Sequence, residues 1–424
     1  LVPAGGVFEL SLPIPAPFNT LSSVVGTGVI IAILAHVVLY RRGRIPRLPV
    51  GVWAFFVAWI TATAWWAIDR SAALDLAVVA WPLALLMIMV SLLPADERDL
   101  DAVRLAVIAS GSLIGSYALF LLLTGSALGH ADQRFAIAGG AGDTDPNILA
   151  ASLLIPLALS VERVILGGHR WLRSRSWRLL GSLGALLSML AIVSTGSRGG
   201  VLAAGVAIGS VLIVCRRRPQ ARRAVHATLA TVLIGGVVLL TGATISVRLD
   251  PGGPVHELLT EPPLGRLPAA ELGGSGRLEI WLTGYRLCGL HCGAGSGLGT
   301  FPSAYNEVFA FSGAARYAGT DRPAHSIYIE LAVEAGVIGF TLLCFALLAE
   351  WSSLGASGAS LIAPSLGGIL LAILVANIFL STFWFKYFWL VLILIRLAEG
   401  SAGSALTRHG PGRPARLAVA GAPG

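Results

Sequence analysis

Apolar residues run along this chain in long blocks separated by short polar segments. A helix that crosses a bilayer needs ~20 mostly apolar residues, and suitable blocks recur near 20–40, 48–68, 74–93, 105–124, 147–161, 179–194, 200–215, 226–245, 335–350, 361–381 and 385–398. The pattern predicts an all-α, polytopic integral membrane bundle of about 11 spans. One interval interrupts the series. From about Ser246 to His325 the apolar runs lapse, and structureless loops of that length are uncommon. The expectation is a mostly helical loop domain over 246–334, set between an N-terminal bundle over 1–245 and C-terminal helices over 335–400. Within it, Ser275-Gly276 precede a helix starting at Arg277, and Ala324-His325-Ser326 precede another that runs into the ninth span. The Gly- and Pro-rich residues 401–424 read as a disordered tail.

Composition agrees, with 55% hydrophobic and 12% charged residues. This excludes a soluble globular enzyme, a disordered chain and a disulfide-stapled module. The net charge of +8 raises a nucleic-acid partner, so its location matters. Of 30 basic residues only Lys386 is lysine, and 20 of the 29 arginines fall on alternate loops. Short loops rich in arginine stay in the cytoplasm. The charge therefore reports topology, with a cytoplasmic C-terminus, an extracytoplasmic 246–334 segment and no nucleic-acid partner. The chain opens with Leu1 and a Pro-rich stretch, which leads us to expect a further N-terminal helix before it, making 12 spans. Four scattered cysteines make neither a disulfide framework nor a zinc site. Cys288 and Cys292, four apart, are either thiols or a local bridge.

Nine arginines remain outside the cytoplasmic loops, and two stand out. Arg198 lies in Ser194-Thr195-Gly196-Ser197-Arg198-Gly199-Gly200, between two apolar runs with no hydrophilic loop. An arginine at the membrane centre costs ~2.5–3.5 kcal/mol on the lenient insertion scale, so it defaults to a functional reading. The plain alternative is a turn whose arginine snorkels to headgroups. Arg277 shares a helical face with Trp281 and Tyr285 by i,i+4 spacing, so it is either a surface arginine stacked on a ring or half of a phosphate clamp with Arg198. His325, with a helix following directly, is either a cap or a neutral general base, because the positive end of a helix disfavours imidazolium. Glu330 and Glu334 follow one and two turns on, to orient the site or to cap amides. Arg134 and Asp145 are candidates to line the same cavity, with helix capping the simpler account of Asp143-Thr144-Asp145-Pro146-Asn147. Gly293, Gly295, Gly297 and Gly299 lack the strand or lysine of a nucleotide motif and read as a flexible turn presenting amides to an anion.

Ser194 to Gly199, Arg277 with Trp281, Gly295 to Phe301, and Ala324-His325-Ser326-Ile327-Tyr328-Ile329-Glu330 together resemble the O-antigen ligase and O-antigen polymerase family over about residues 130–345. The resemblance implies a metal-independent, cofactor-free membrane glycosyltransferase in the bacterial cytoplasmic membrane. Its donor is a glycan on undecaprenyl diphosphate, and its acceptor is lipid A core, a growing glycan or a protein. It further implies that Arg198 and Arg277 bind the donor diphosphate and that His325 activates the acceptor hydroxyl, with Arg134, Asp145, Ser197, Trp281, Tyr328 and Glu330 in support. Ligase, repeat-unit polymerase and protein O-oligosaccharyltransferase share this donor chemistry. A more distant alternative is a lipid-linked glycan flippase, which would spread buried charge over many spans.

Overall fold

The computed structural model describes residues 20–40, 43–124, 128–129, 135–136, 138–139, 142–143, 145–166, 175–216, 277–291, 293–309, 321–356, 362–381 and 383–408. Fourteen α-helices carry the described residues: α1 (Leu21–Tyr40), α2 (Leu48–Ala62), α3 (Arg70–Leu92), α4 (Glu97–Leu123), α5 (Pro146–Ser152), α6 (Leu154–Leu166), α7 (Arg175–Ser194), α8 (Arg198–Cys215), α9 (Arg277–His291), α10 (Phe301–Phe309), α11 (Ile327–Glu334), α12 (Gly336–Ala356), α13 (Ile362–Ala376) and α14 (Lys386–Arg408). Seven segments are long and apolar enough to cross a membrane, and 178–194 and 364–376 are shorter apolar helices. The protein is thus a polytopic membrane bundle. The span expected at 226–245 lies outside the described residues.

Local departures from the hydropathy pattern have local causes. The span near 147–161 is broken at Leu153 into α5 and α6. Pro156 has no N–H for the Ser152 carbonyl, and its ring would clash there. Two small antiparallel pairs, β1 (Leu128–Gly129) with β2 (Phe135–Ala136) and β3 (Ala138–Gly139) with β4 (Gly142–Asp143), interrupt the otherwise helical chain. The last helix continues through Arg408, beyond Ser401 where the tail was expected to begin. Small residues let neighbours close up: a Cβ on Gly115 of α4 would come 2.7 Å from the backbone of Leu187 on α7.

The 43–47 and 93–96 segments mark one end of the bundle, here termed the basic end, and buried charge gathers there. Arg396 on α14 and Glu350 on α12, both essentially unexposed, form an ion pair. Glu350 Oε1 also accepts from Trp53 Nε1 of α2 at 3.0 Å, and Arg396 Nη1 lies 2.9 Å from Glu399 Oε2. Arg47 Nη1 reaches the other Glu399 oxygen at 3.3 Å, and Arg44 donates to the Glu399 carbonyl. A second network joins α4 and α6, where Arg104 meets Glu162 at 2.7 Å and Asp101 at 3.2 Å. Each cation is compensated from a different helix, so charge neutrality and helix packing are one condition.

Glu350→Ala leaves Arg396 buried without its main counter-charge, a loss of ~3–5 kcal/mol for a broken buried pair. Thermal unfolding in detergent is expected to show a lower Tm for that variant. The double variant Glu350→Leu with Arg396→Met recovers most of the difference; an equally unstable double variant would show that packing, not charge, is responsible.

Candidate functional site

At the opposite end the chain makes a tight turn between α7 and α8. Thr195 Oγ1 donates to the Ile192 carbonyl at 2.6 Å and accepts from the Ser197 amide at 3.2 Å, while Gly196 takes a positive φ of 62°. Ser197 then caps α8, accepting from the Gly200 amide at 3.1 Å. Thr195 and Ser197 are buried, whereas Arg198, the first residue of α8, is exposed. The Ser197 hydroxyl also donates to Asn147 Oδ1 at 2.7 Å. Asn147 in turn donates from its backbone amide and from Nδ2 to Asp145 Oδ1, at 2.7 and 2.9 Å. A continuous relay from Asp145 through Asn147 to Ser197 therefore fixes the base of Arg198.

Arg277 begins α9 on the same side. One turn later Trp281 stacks on Phe379, with ring centroids 6.4 Å apart. Phe379 also packs on Gly199, where a Cβ would come within 3.1 Å of the ring. The rings thus link the residue after Arg198 to the helix that starts with Arg277. Trp281 Nε1 donates to the Ala324 carbonyl at 3.1 Å, which places His325 beside α9. His325 adopts a positive φ of 49°, uncommon outside glycine. The chain is held on its far side too, because the Ile327 amide donates to the carbonyls of Asn377 and Leu380 at 3.2 and 3.0 Å.

His325 is half-buried, and it is not the cap of α11; that position belongs to Ser326. Burial lowers its pKa below the ordinary 6.5, Arg277 and Arg322 lower it further, and Asp145 opposes them. Burial and the two cations thus favour the neutral imidazole. Arg277, Asp145 and His325 share one electrostatic environment, and Asp145 belongs both to it and to the relay under Arg198.

Other candidates are placed elsewhere. The Tyr328 hydroxyl is committed to the Leu374 carbonyl at 2.8 Å. Glu330 is buried, and Tyr285 is exposed. The glycine run is not an anion cradle. Its amides are taken internally: Ser296 by the Val333 carbonyl, Gly297 by the Glu334 carbonyl, Leu298 by Thr63 Oγ1 and Phe301 by Glu334 Oε1. Gly295 is required because a Cβ there would sit 2.1 Å from the Glu334 carbonyl oxygen. Glu334 is accordingly the cap of α10. Cys288 is a half-buried thiol; Cys292 and Arg134 lie outside the described residues.

Phe379 is the residue that sequence reading missed, and Asn147 was read only as part of a cap. The dense run Phe379, Phe383, Trp384 and Phe385, where the span expected over 361–381 gives way to that over 385–398, was the available signal for the first. Residues 183–344 match the family model described as O-antigen ligase, a family of membrane glycan transfer of the ligase and polymerase type. The match includes Arg198, Arg277 and His325. No curated protein matches the chain.

Arg277→Gln removes a cation facing His325 and is expected to raise the imidazole pKa, whereas Asp145→Asn lowers it. NMR titration of histidine-labelled protein in detergent reads both shifts. An unchanged His325 in both variants would separate it from these two neighbours.

Proposed function

We propose that the protein transfers a glycan from an undecaprenyl-diphosphate-linked donor to an acceptor hydroxyl at the extracytoplasmic face of the bacterial cytoplasmic membrane. The observation that carries this reading is the ring of Phe379, which packs on Gly199 next to Arg198 and on Trp281, one turn from Arg277 and hydrogen-bonded to the carbonyl before His325, at one end of a membrane bundle and beside the stretch that matches the O-antigen ligase family. The extracytoplasmic side follows from the arginine-rich loops at the other end.

In this mechanism the guanidinium groups of Arg198 and Arg277 bind the diphosphate, whose oxygens match their planar forks. The positive end of α8, where Arg198 sits, adds to the same attraction. His325 takes the proton of the acceptor hydroxyl as its oxygen bonds to the anomeric carbon. The bond from that carbon to the diphosphate oxygen breaks, and the departing electron pair stays with the diphosphate, stabilised by the two cations. Direct displacement inverts the anomeric centre. Protein cations supply the electrostatic stabilisation, so the proposed reaction needs no metal. Asp145, Asn147 and Ser197 hold the geometry. The region 246–334 acts as the working extracytoplasmic domain, with α9, α10 and α11 its described helices.

Arg198→Ala, Arg277→Ala and His325→Ala are each expected to lower transfer by about 100-fold or more, the usual scale for a general base or a preorganised charge, with expression and membrane insertion retained. Purified protein given a lipid-linked oligosaccharide and each candidate acceptor reads this in gels. One shifted acceptor band indicates ligation and a ladder indicates polymerisation. Full turnover by all three variants, or labelled lipid crossing the bilayer without transfer, would sink the assignment.

The pH profile supplies a separate test. Since the working form of His325 is neutral and its pKa is lowered from 6.5, transfer is expected to rise with pH through a midpoint below 6.5, with EDTA present throughout. A midpoint above 7, or loss of activity in EDTA, contradicts the mechanism.

A further inference from the structure

Helix α9 has two sharply different faces. Ile280, Thr283, Gly284 and Leu287 are buried against α10 and α11, and a Cβ on Gly284 would come 2.4 Å from Ile329. The outward face carries Leu282, Tyr285 and Leu290, which are 56%, 80% and 68% exposed, with exposed Arg286 among them. Three large apolar side chains on one face of a 15-residue helix are a poor solution for a surface in water.

The ends of α9 show what medium this face meets. Near its start, Trp281 stacks on Phe379, three residues past the end of α13. At its end, the His291 carbonyl accepts from the Gly295 amide, and the Gly295 carbonyl accepts from Trp66 Nε1 at 3.2 Å, just beyond the span Leu48–Trp65. Both ends are therefore tied to places where membrane helices finish on the same side. A helix of this length, about 22 Å at 1.5 Å per residue, lies across the ends of the spans rather than rising from them. Trp65, 85% exposed, and Trp66 border the same level, and tryptophan and tyrosine favour the membrane interface.

We propose that the outward face of α9 is a membrane-interface surface whose partner is the headgroup and upper acyl region of the leaflet on the site's side. Leu282, Tyr285 and Leu290 enter that region while Arg286 extends to lipid phosphates. Arg277, on the same helix, is thereby held at headgroup height. The inference does not depend on glycan transfer, since it concerns where α9 lies.

The test uses full-length protein with Cys215, Cys288, Cys292 and Cys344 replaced by alanine, bearing single substitutions Leu282→Cys, Tyr285→Cys, Leu290→Cys or, as a water-facing control, Glu307→Cys. Each is labelled with an environment-sensitive nitrobenzoxadiazole dye in nanodiscs of phosphatidylethanolamine and phosphatidylglycerol. The expected result is blue-shifted emission at 282, 285 and 290, quenched at least twofold by lipid carrying a spin label near the headgroup, with the 307 label quenched by aqueous iodide instead. Iodide quenching at all three α9 positions would place the face in water. Blue-shifted emission that resists the spin-labelled lipid would place it under protein. Either result overturns the proposal, and neither bears on whether Arg198 and His325 support transfer.

Discussion

A bilayer core offers no water, so every polar group placed there must find its partner within the protein. This constraint organises the molecule from end to end. At the basic end it is met by ion pairs that cross between helices, Arg396 with Glu350 and Arg104 with Glu162, each supported by a carboxylate on the arginine's own helix, Glu399 and Asp101. At the other end it is met by short hydroxyl and carboxylate contacts to the backbone, through Thr195, Ser197, Asp145 and Glu334. Those contacts satisfy the turns without consuming the guanidinium of Arg198, which stays exposed. At the basic end the buried arginines Arg104 and Arg396 are paired with carboxylates, and at the other end Arg198 is left exposed.

The rigid part of the site end is a joint built on Glu334. Its carboxylate caps α10, its backbone carbonyl receives Gly297, and the adjoining glycines press against it where no Cβ would fit. The same run reaches α2 through Thr63 and Trp66. The segment following α9 is thereby fastened both to a membrane helix and to the start of α12. Phe379 does for the start of α9 what the glycine joint does for its end. Arg277 starts a surface helix clamped twice, and His325 is held beside that helix through Ala324, which gives the proposed reaction fixed charge to work with.

Much of the architecture was readable in advance because hydropathy is a local and nearly additive property. Each apolar block is long enough to specify its own helix, as with Leu48–Ala62 and Arg70–Leu92, and local exceptions such as the break before Pro156 follow from backbone chemistry. The resemblance expected over about 130–345 is found over 183–344. Spacing was less dependable for side-chain direction. Trp281 and Tyr285 share a helical stripe with Arg277, yet one is half-buried against Phe379 and the other is exposed.

The sequence by itself determined the membrane class, the order of the helices and the small set of residues able to carry charge near the Ser197 turn. Only the tertiary structure decided how those residues are used. It turned the glycine run from an anion cradle into a packing joint, recruited Phe379, 180 positions beyond Gly199, to stand between Gly199 and Trp281, and gave Asp145 its two roles. The reason is physical: burial in lipid depends on a segment's own composition, whereas a hydrogen bond, a stacked ring or a shifted pKa depends on which distant segment supplies the partner.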